Sequence, residues 1–244
     1  MSKDLAIKEQ EAMVPEELRG EFDTKENMEG VTPKFPNIKI LHQAQLFEFP
    51  DGSKIESFNG IILDTNRVNA WWEESFDLTG GGVPPDCFSL DGIHCSQNSS
   101  KPQCELCGTD KSPKCPLNKF QSEVKKDGSA GRGKACKNMK RIHIVLEGQM
   151  LPYRLILPPS NLGAIDEYIS LLESRGTPYQ LVVTKFGLKE SQNKDGIKSS
   201  IVSLHPASYI TDIPQGKRLK KMLVELKPSM REQEIVFEDY KANE

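Results

Sequence analysis

The sequence predicts a β-rich α+β fold. Its body is a small curled antiparallel barrel, interrupted by a cysteine-bearing insert, with one helix packed across an end and a second helix near the C-terminus. Three observations predict it. Apolar residues alternate in paired runs on both sides of the insert, each pair joined by turn residues. All six cysteines of the 244-residue chain fall between Cys87 and Cys136. One stretch, about 161–175, repeats its apolar residues at helical spacing.

Residues 1–37 read as a mobile acidic arm. Residues 1–31 carry nine acidic and four basic side chains, and Pro15, Pro33 and Pro36 punctuate the stretch with no sustained apolar period. From Ile38 the pattern changes. Ile38, Ile40, His42 and Ala44 share one parity, and Leu46, Phe47 and Phe49 lead into Asp51-Gly52, a strong hairpin signal. The run 54–63 returns with Ile55, Phe58, Ile61, Ile62 and Leu63. Trp71, Trp72 and Phe76 follow, then Gly80-Gly81-Gly82 and Pro84-Pro85 break the chain into the insert, about residues 80–136.

Strand character resumes at Arg141, with Ile142, Ile144 and Leu146 alternating against His143 and Val145, and it returns over 151–157. Ser160 is placed to cap the helix, whose apolar positions are Leu162, Ile165, Ile169 and Leu172, and Gly176 stops it. Strands over 181–188 and 197–209 flank a polar loop at 190–196. A lysine-rich helix over 214–226 and an acidic tail from Glu232 to Glu244 complete the chain. The order fits a barrel of the OB type. The expected division is 1–37 arm, 38–212 barrel with its insert, and 213–244 helix and tail.

Grouped thiols in a chain without secretory features point to a metal. The start, Met1-Ser-Lys-Asp-Leu, lacks the basic, apolar, small-residue order of a signal peptide. No apolar run nears the roughly 18–20 residues that cross a membrane. The expected compartment is the cytoplasm, with no membrane partner. Zn²⁺ takes four ligands in a tetrahedron, and a C-x-x-C pair such as Cys104/Cys107 commonly supplies two. Cys87 and Cys136, where the insert leaves and rejoins the barrel, would pin its base. Cys107 and Cys115 complete four, with Cys104 the alternative to Cys107, and Cys95 and His94 are spare. A site of thiolates alone is closed, so the zinc is structural.

The charge pattern points to a polyanion. Residues 101–154 carry twelve basic and five acidic side chains, while 228–244 carry five acidic and two basic. Lys119, Arg132, Lys134, Lys137, Lys140, Arg141 and Arg154 interleave with Trp71, Trp72, Phe120 and Tyr153. Single-stranded nucleic acid is held by such a set, with cations on phosphates and aromatic faces under bases. Trp71 and Trp72 are neighbours, so an extended chain turns them to opposite sides. Gly131-Arg-Gly-Lys134 has the composition of a phosphate loop but not the G-x-x-x-x-G-K-[ST] pattern, and a flexible loop feeding Cys136 explains it as well. No His-Glu-x-x-His, Ser-His-Asp or carboxylate metal set appears, so no catalysis is expected.

The string Pro84-Pro-Asp-Cys-Phe-Ser-Leu-Asp-Gly92 is followed by Cys115-Pro-Leu-Asn-Lys-Phe120 and Gly133-Lys-Ala-Cys-Lys-Asn-Met-Lys-Arg141. Leu157-Pro-Pro-Ser160 and Asn193-Lys-Asp-Gly-Ile197 complete the series. Over about residues 55–210 it resembles a group of phage and mobile-element single-stranded DNA-binding proteins with a zinc insert in an OB-like barrel. The resemblance implies a non-enzymatic role in DNA replication or recombination within a bacterial host cell. It transfers Cys87, Cys115 and Cys136 as ligands. It departs at Ser112, where the group carries the first cysteine of a C-x-x-C, so the fourth ligand stays open between Cys107 and Cys104. The acidic tail would compete for the groove or recruit replication and recombination proteins. The alternative is a zinc-containing protein-interaction or regulatory module.

Overall fold

One long strand, buried on both faces, organises the structure. The computed structural model describes residues 30–31, 33–73, 84–109, 112–124, 128–192, 198–233 and 235. The chain separates into units of residues 1–34 and 35–244, and the sheet belongs to the second. Most of the acidic arm, Phe76, Lys125, Lys126, the loop tip at 193–197 and the tail from 236 lie outside the described residues.

Strand β4 (Phe58–Trp71) pairs with β8 (Lys137–Val145) on one side and β10 (Val182–Gln192) on the other. β10 continues into the long hairpin partner β11 (Lys198–Tyr209). Beyond β8 come β9 (Tyr153–Leu157), β1 (Asn37–Leu41), β2 (Leu46–Glu48) and β3 (Lys54–Ile55), and β5 (Cys87–Ser89) pairs with the far end of β4. A separate small pair, β6 (Gly108–Thr109) and β7 (Ser112–Pro113), lies within the insert. The sheet is mixed rather than wholly antiparallel, because β1 runs parallel to β9. Residues 42–152 separate these two strands, so no tight hairpin forces an antiparallel pairing.

The sheet curls. β10, β4, β8 and β9 separate β11 from β1 in strand order. Yet Ser200 on β11 donates its N–H to His42 Nδ1 (3.2 Å) and its hydroxyl to the His42 carbonyl (2.9 Å), just past β1. The concave side holds the main apolar cluster, including Phe47, Phe58, Ile62, Ile144, Leu155 and Phe186. Phe58 stacks on Phe186 at 4.7 Å and meets Phe47 and Phe49 edge-on. Helix α1 (Leu162–Ser174) covers this side with Ile165, Tyr168 and Leu172. The predicted cap Ser160 gives way to Asn161 at the N-cap position, which makes no capping bond. The Asn161 amide instead clamps β11, giving its N–H to the Ser200 carbonyl (3.1 Å) and taking the Val202 N–H (2.5 Å).

The expected first hairpin becomes two. β1 turns into β2, and β2 turns into β3 at Asp51-Gly52, where Gly52 takes φ 82° and the Asp51 carboxylate accepts from the Ser53 N–H. The chain then leaves this ribbon as β4, which runs eight residues past the expected end at Leu63. Leu63 is the extra residue of a bulge between Ile62 and Asp64. Helix α2 (Ile213–Glu232) is capped by Asp212, which accepts from the Gln215 N–H at 2.8 Å. It lies on the convex side, packing Leu219 and Met230 over Phe35, Ile61, Leu63 and Val145.

A polar row crosses the convex side between two apolar clusters. His143 on β8 stands opposite Asp64 on β4 and Arg154 on β9. It is fully buried, with Phe35 edge-on at 5.3 Å, and neither ring nitrogen has a hydrogen-bond partner among the described residues. Burial first, then Arg141 on its own strand, Arg154 on β9 and Arg231 on α2, hold it well below the ordinary 6.5. Asp64 faces it from β4 but is engaged by Arg231. On acidification the unfolded chain therefore takes up this proton before the folded chain does. The site's stability is full above about pH 6.5 and declines as pH falls below it. Urea denaturation from about pH 7.5 to about pH 5 should show the decline, and His143→Leu should flatten that part of the curve.

Candidate functional site

The two ends of the insert meet at the tip of β4. Trp71 pairs with Cys87 on β5, and Ala70 pairs with Lys137, so Cys136 lies beside Trp71 on the opposite flank. The expectation that these two cysteines sit at the base of the insert holds. The interior of the insert is tied by backbone hydrogen bonds that converge on cysteines. The Cys107 carbonyl accepts from the N–H groups of Lys114 and Cys115 and from the Asn118 side-chain amide (3.1 Å). Cys136 donates its N–H to the Leu117 carbonyl at 2.9 Å. Cys107 donates to the Ile93 carbonyl and Cys95 to the Glu105 carbonyl, closing the arm 93–107 on itself.

Cys87, Cys107, Cys115 and Cys136 are buried, while Cys95 and Cys104 are half-buried, and all six are free thiols. The Cys95 sulfur, expected to be spare, lies 3.4 Å from that of Cys87. Burial, reinforced by Cys95 and Cys107, pushes the Cys87 thiol up to about 11. Burial also raises Cys104, with Cys115 and Cys107 as neighbours, and Cys136, with Cys107, Cys115 and Cys87. Burial raises Cys107 too. These mutual influences tie all six into one neighbourhood.

The donor set suits a soft divalent ion: buried sulfur in a segment with little apolar core of its own. The Cys87–Cys95 separation approaches the edge of about 3.8 Å in a tetrahedron built on Zn–S bonds of about 2.3 Å. Among the described residues, no group of three or more His, Cys, Asp or Glu side chains is arranged to hold a metal ion. Chemistry and burial fit zinc, and the sulfurs are not gathered round a common point. Beside them, His94 Nδ1 meets the Asp91 carboxylate at 2.7 Å. Asp91 is held down to about 2: its own burial opposes this, and hydrogen bonds from His94, Ile93 and Ser89 outweigh it.

The basic and aromatic residues fall into two groups. The first is on the surface of the insert. Phe120 is 73% exposed, with Lys134 Nζ 5.1 Å from its ring centroid. Lys119 and Arg132 are exposed beside it, and Gln121 donates its N–H to the Arg132 carbonyl, fastening 119–124 to 130–134. Lys134 also donates to Asn118 Oδ1 and Asn138 Oδ1 (2.9 Å). Lys137 is half-buried and ion-paired with Glu123. Glycines 131 and 133 wrap the same carboxylate, since a Cβ on Gly133 would fall 2.5 Å from Glu123 Oε2. The glycine loop therefore cradles an anion from its own chain.

The second group is buried or half-buried. Trp72 packs with Val68, Phe88 and Met139, so turning the two tryptophans to opposite sides still buries one of them. Trp71 is half-buried. Lys140 is buried in an ion pair with Asp166 of α1. Arg141 has no exposed surface and donates to the carbonyls of Met230 (3.4 Å) and Gln233 (2.8 Å). Arg154 donates to Asn37 Oδ1 (3.4 Å) and Gln233 Oε1 (3.2 Å). Tyr153 is half-buried against Phe49. Nothing in local sequence marks a cation destined for the interior, because the partners lie 26 positions away for Lys140 and 79 to 92 positions away for Arg154 and Arg141 on the C-terminal side.

One cationic surface was missed among the candidate site residues. Lys217, Arg218, Lys220 and Lys221 are exposed on α2, opposite the apolar stripe that grips the sheet. The lysine-rich side of the expected C-terminal helix was its signal. Among the described residues, no helix is long and apolar enough to cross a membrane. Set against protein-family models, curated proteins and solved structures, the chain matches none of them.

Proposed function

We propose that this chain is a non-enzymatic single-stranded DNA-binding protein whose cysteine insert holds a structural zinc ion. Its fold is read as an OB-like barrel, and its role as phage-type DNA replication or recombination. The observation that carries the reading is the insert surface: an exposed Phe120 ring with Lys134 over it and Lys119 and Arg132 alongside. An exposed phenyl ring framed by cations offers a base a stacking face and its phosphates a counter-charge. Cys136, which donates to the Leu117 carbonyl, ties this surface to the thiol neighbourhood.

Cys87, Cys107, Cys115 and Cys136 would hold the ion, drawn together by it, with Cys95 and Cys104 within reach. Bound zinc would supply cross-linking of a core-poor segment, and no reaction is routed through it. The thiols must lose protons to bind, so retention weakens as pH falls. Titration of a labelled oligothymidylate should show affinity that drops steeply with salt. Phe120→Ala should weaken binding about tenfold, the size of one base–aromatic stack. Salt-insensitive binding, or none, would sink the reading.

One observation favours the alternative, a zinc-containing protein-interaction module. Ile93 and Leu106 are both exposed on the insert, around the bridge between His94 and Leu106. A complex with another protein that survives nuclease treatment and fails in an Ile93→Asp variant would support it. Loss of the complex on nuclease treatment would show that DNA bridges it and would favour the DNA-binding role.

A further inference from the structure

Asn37, Arg154, His143 and Asp64 form one row across β1, β9, β8 and β4. Residues directly opposite on neighbouring strands share a face. Arg141 stands on the same face, paired with Asn66 and Ile156. The chain's own residues 230–233 and 235 lie across this row. Arg231 grips Asp64, the Met230 and Gln233 carbonyls accept from Arg141, and the Gln233 side chain accepts from Arg154. Ile235 anchors the far end in the cluster of Val68, Trp72, Phe88 and Met139.

We propose that Arg141, Arg154 and His143 on this face form a binding site for the phosphate backbone of single-stranded DNA, covered by residues 230–233 and 235 as a strap that nucleic acid displaces. The inference rests on the nucleic-acid reading above and adds where on the sheet a strand would lie. The acceptors that the strap gives to the two guanidinium groups include two carbonyls and an amide oxygen. Phosphate oxygens are charged and match a guanidinium in pairs, so they form the stronger bonds. His143 supplies a second, independent indication. It is a fully buried polar ring with no hydrogen-bond partner among the described residues, in a row otherwise matched to the strap. Buried polar groups in native proteins usually have a partner, so a phosphate oxygen reaching this ring would supply the one it lacks. The strap follows a weakened turn: Pro228, inside α2, has no N–H to donate to the turn before it.

The test uses the full chain with Ile235→Asp and a labelled oligothymidylate. This variant removes the strap's apolar anchor while adding a negative charge. Charge alone predicts weaker binding. Release of the strap predicts binding about tenfold tighter, because a larger fraction of the chain is binding-competent. The gain should vanish when Arg154→Gln is added. A second measurement needs no variant: hydrogen exchange of the native chain should show amides at 230–233 losing protection when the oligonucleotide binds. Unchanged or weaker affinity in Ile235→Asp, or unchanged protection at 230–233, overturns the strap. If the native chain still binds through Phe120 in that case, the nucleic-acid reading stands without it. If neither chain binds the oligonucleotide, both fail.

Discussion

Replacing Cys136 with serine is expected to remove the metal and lower the melting midpoint by about 8–16 °C, taking a loss of about 4 kcal/mol at roughly 2–4 °C per kcal/mol for a chain of this size. Cys136 is buried one residue before β8, beside the tip of β4, with Cys87, Cys107 and Cys115 as its sulfur neighbours. A serine hydroxyl nearly matches the thiol in size but is not a soft ligand for zinc. The loss should therefore appear in zinc-loaded protein and nearly disappear after chelation, when the native and substituted chains differ only by the burial of a hydroxyl. Calorimetric scans of both chains in both states measure it. A difference that persists undiminished in chelator would make Cys136 a packing residue and not a ligand.

Arg231→Met is expected to destabilise the domain by about 2–3 kcal/mol, somewhat less than the roughly 3–5 kcal/mol for breaking a fully buried ion pair. The Asp64 side chain is 3% exposed and meets Arg231 through two bonds of 2.9 and 3.0 Å. Removing the arginine leaves a buried carboxylate under α2 without its ion-pair partner. The Arg231 side chain is itself 44% exposed, so water moderates the loss. Adding Asp64→Asn should recover part of it, because the stranded charge is then gone. Urea unfolding of the two single variants and the double variant gives the coupling directly. Additive losses would show that the pair contributes nothing beyond its separate residues.

What could be read in the sequence follows from how local each signal is. The Asp51-Gly52 turn, the helix ending at Gly176 and the strands of the β10–β11 hairpin are set by neighbours in sequence, and each was legible. The second half of β4 was not. Asp64-Thr-Asn-Arg-Val-Asn carries no strand signal because strand patterns are recognised by apolar residues. Here several of the polar side chains find distant partners: Asn66 donates to the Leu90 carbonyl, Asn69 to the Gly92 carbonyl and Asn138 to Asn69 Oδ1, while Thr65 Oγ1 and Asn66 Oδ1 find none among the described residues. At the site, clustering of the cysteines was legible, as was the place of Cys87 and Cys136 at the base of the insert. The approach of Cys95 to Cys87 was not, since it depends on the arm 93–107 folding back. Arg141 and Arg154 failed as surface residues for the same reason: α2 and residues beyond it return from far along the chain to cover them.

The central claim is that zinc held by the thiols organises a surface that binds single-stranded DNA. The most direct measurement is oligothymidylate affinity of zinc-loaded protein, before and after chelation, with metal content determined on the same sample. The account predicts bound zinc, tight salt-dependent binding, and a loss of affinity on chelation that added zinc reverses. Protein that carries no zinc, or that binds the oligonucleotide equally well after the metal is stripped, would contradict it.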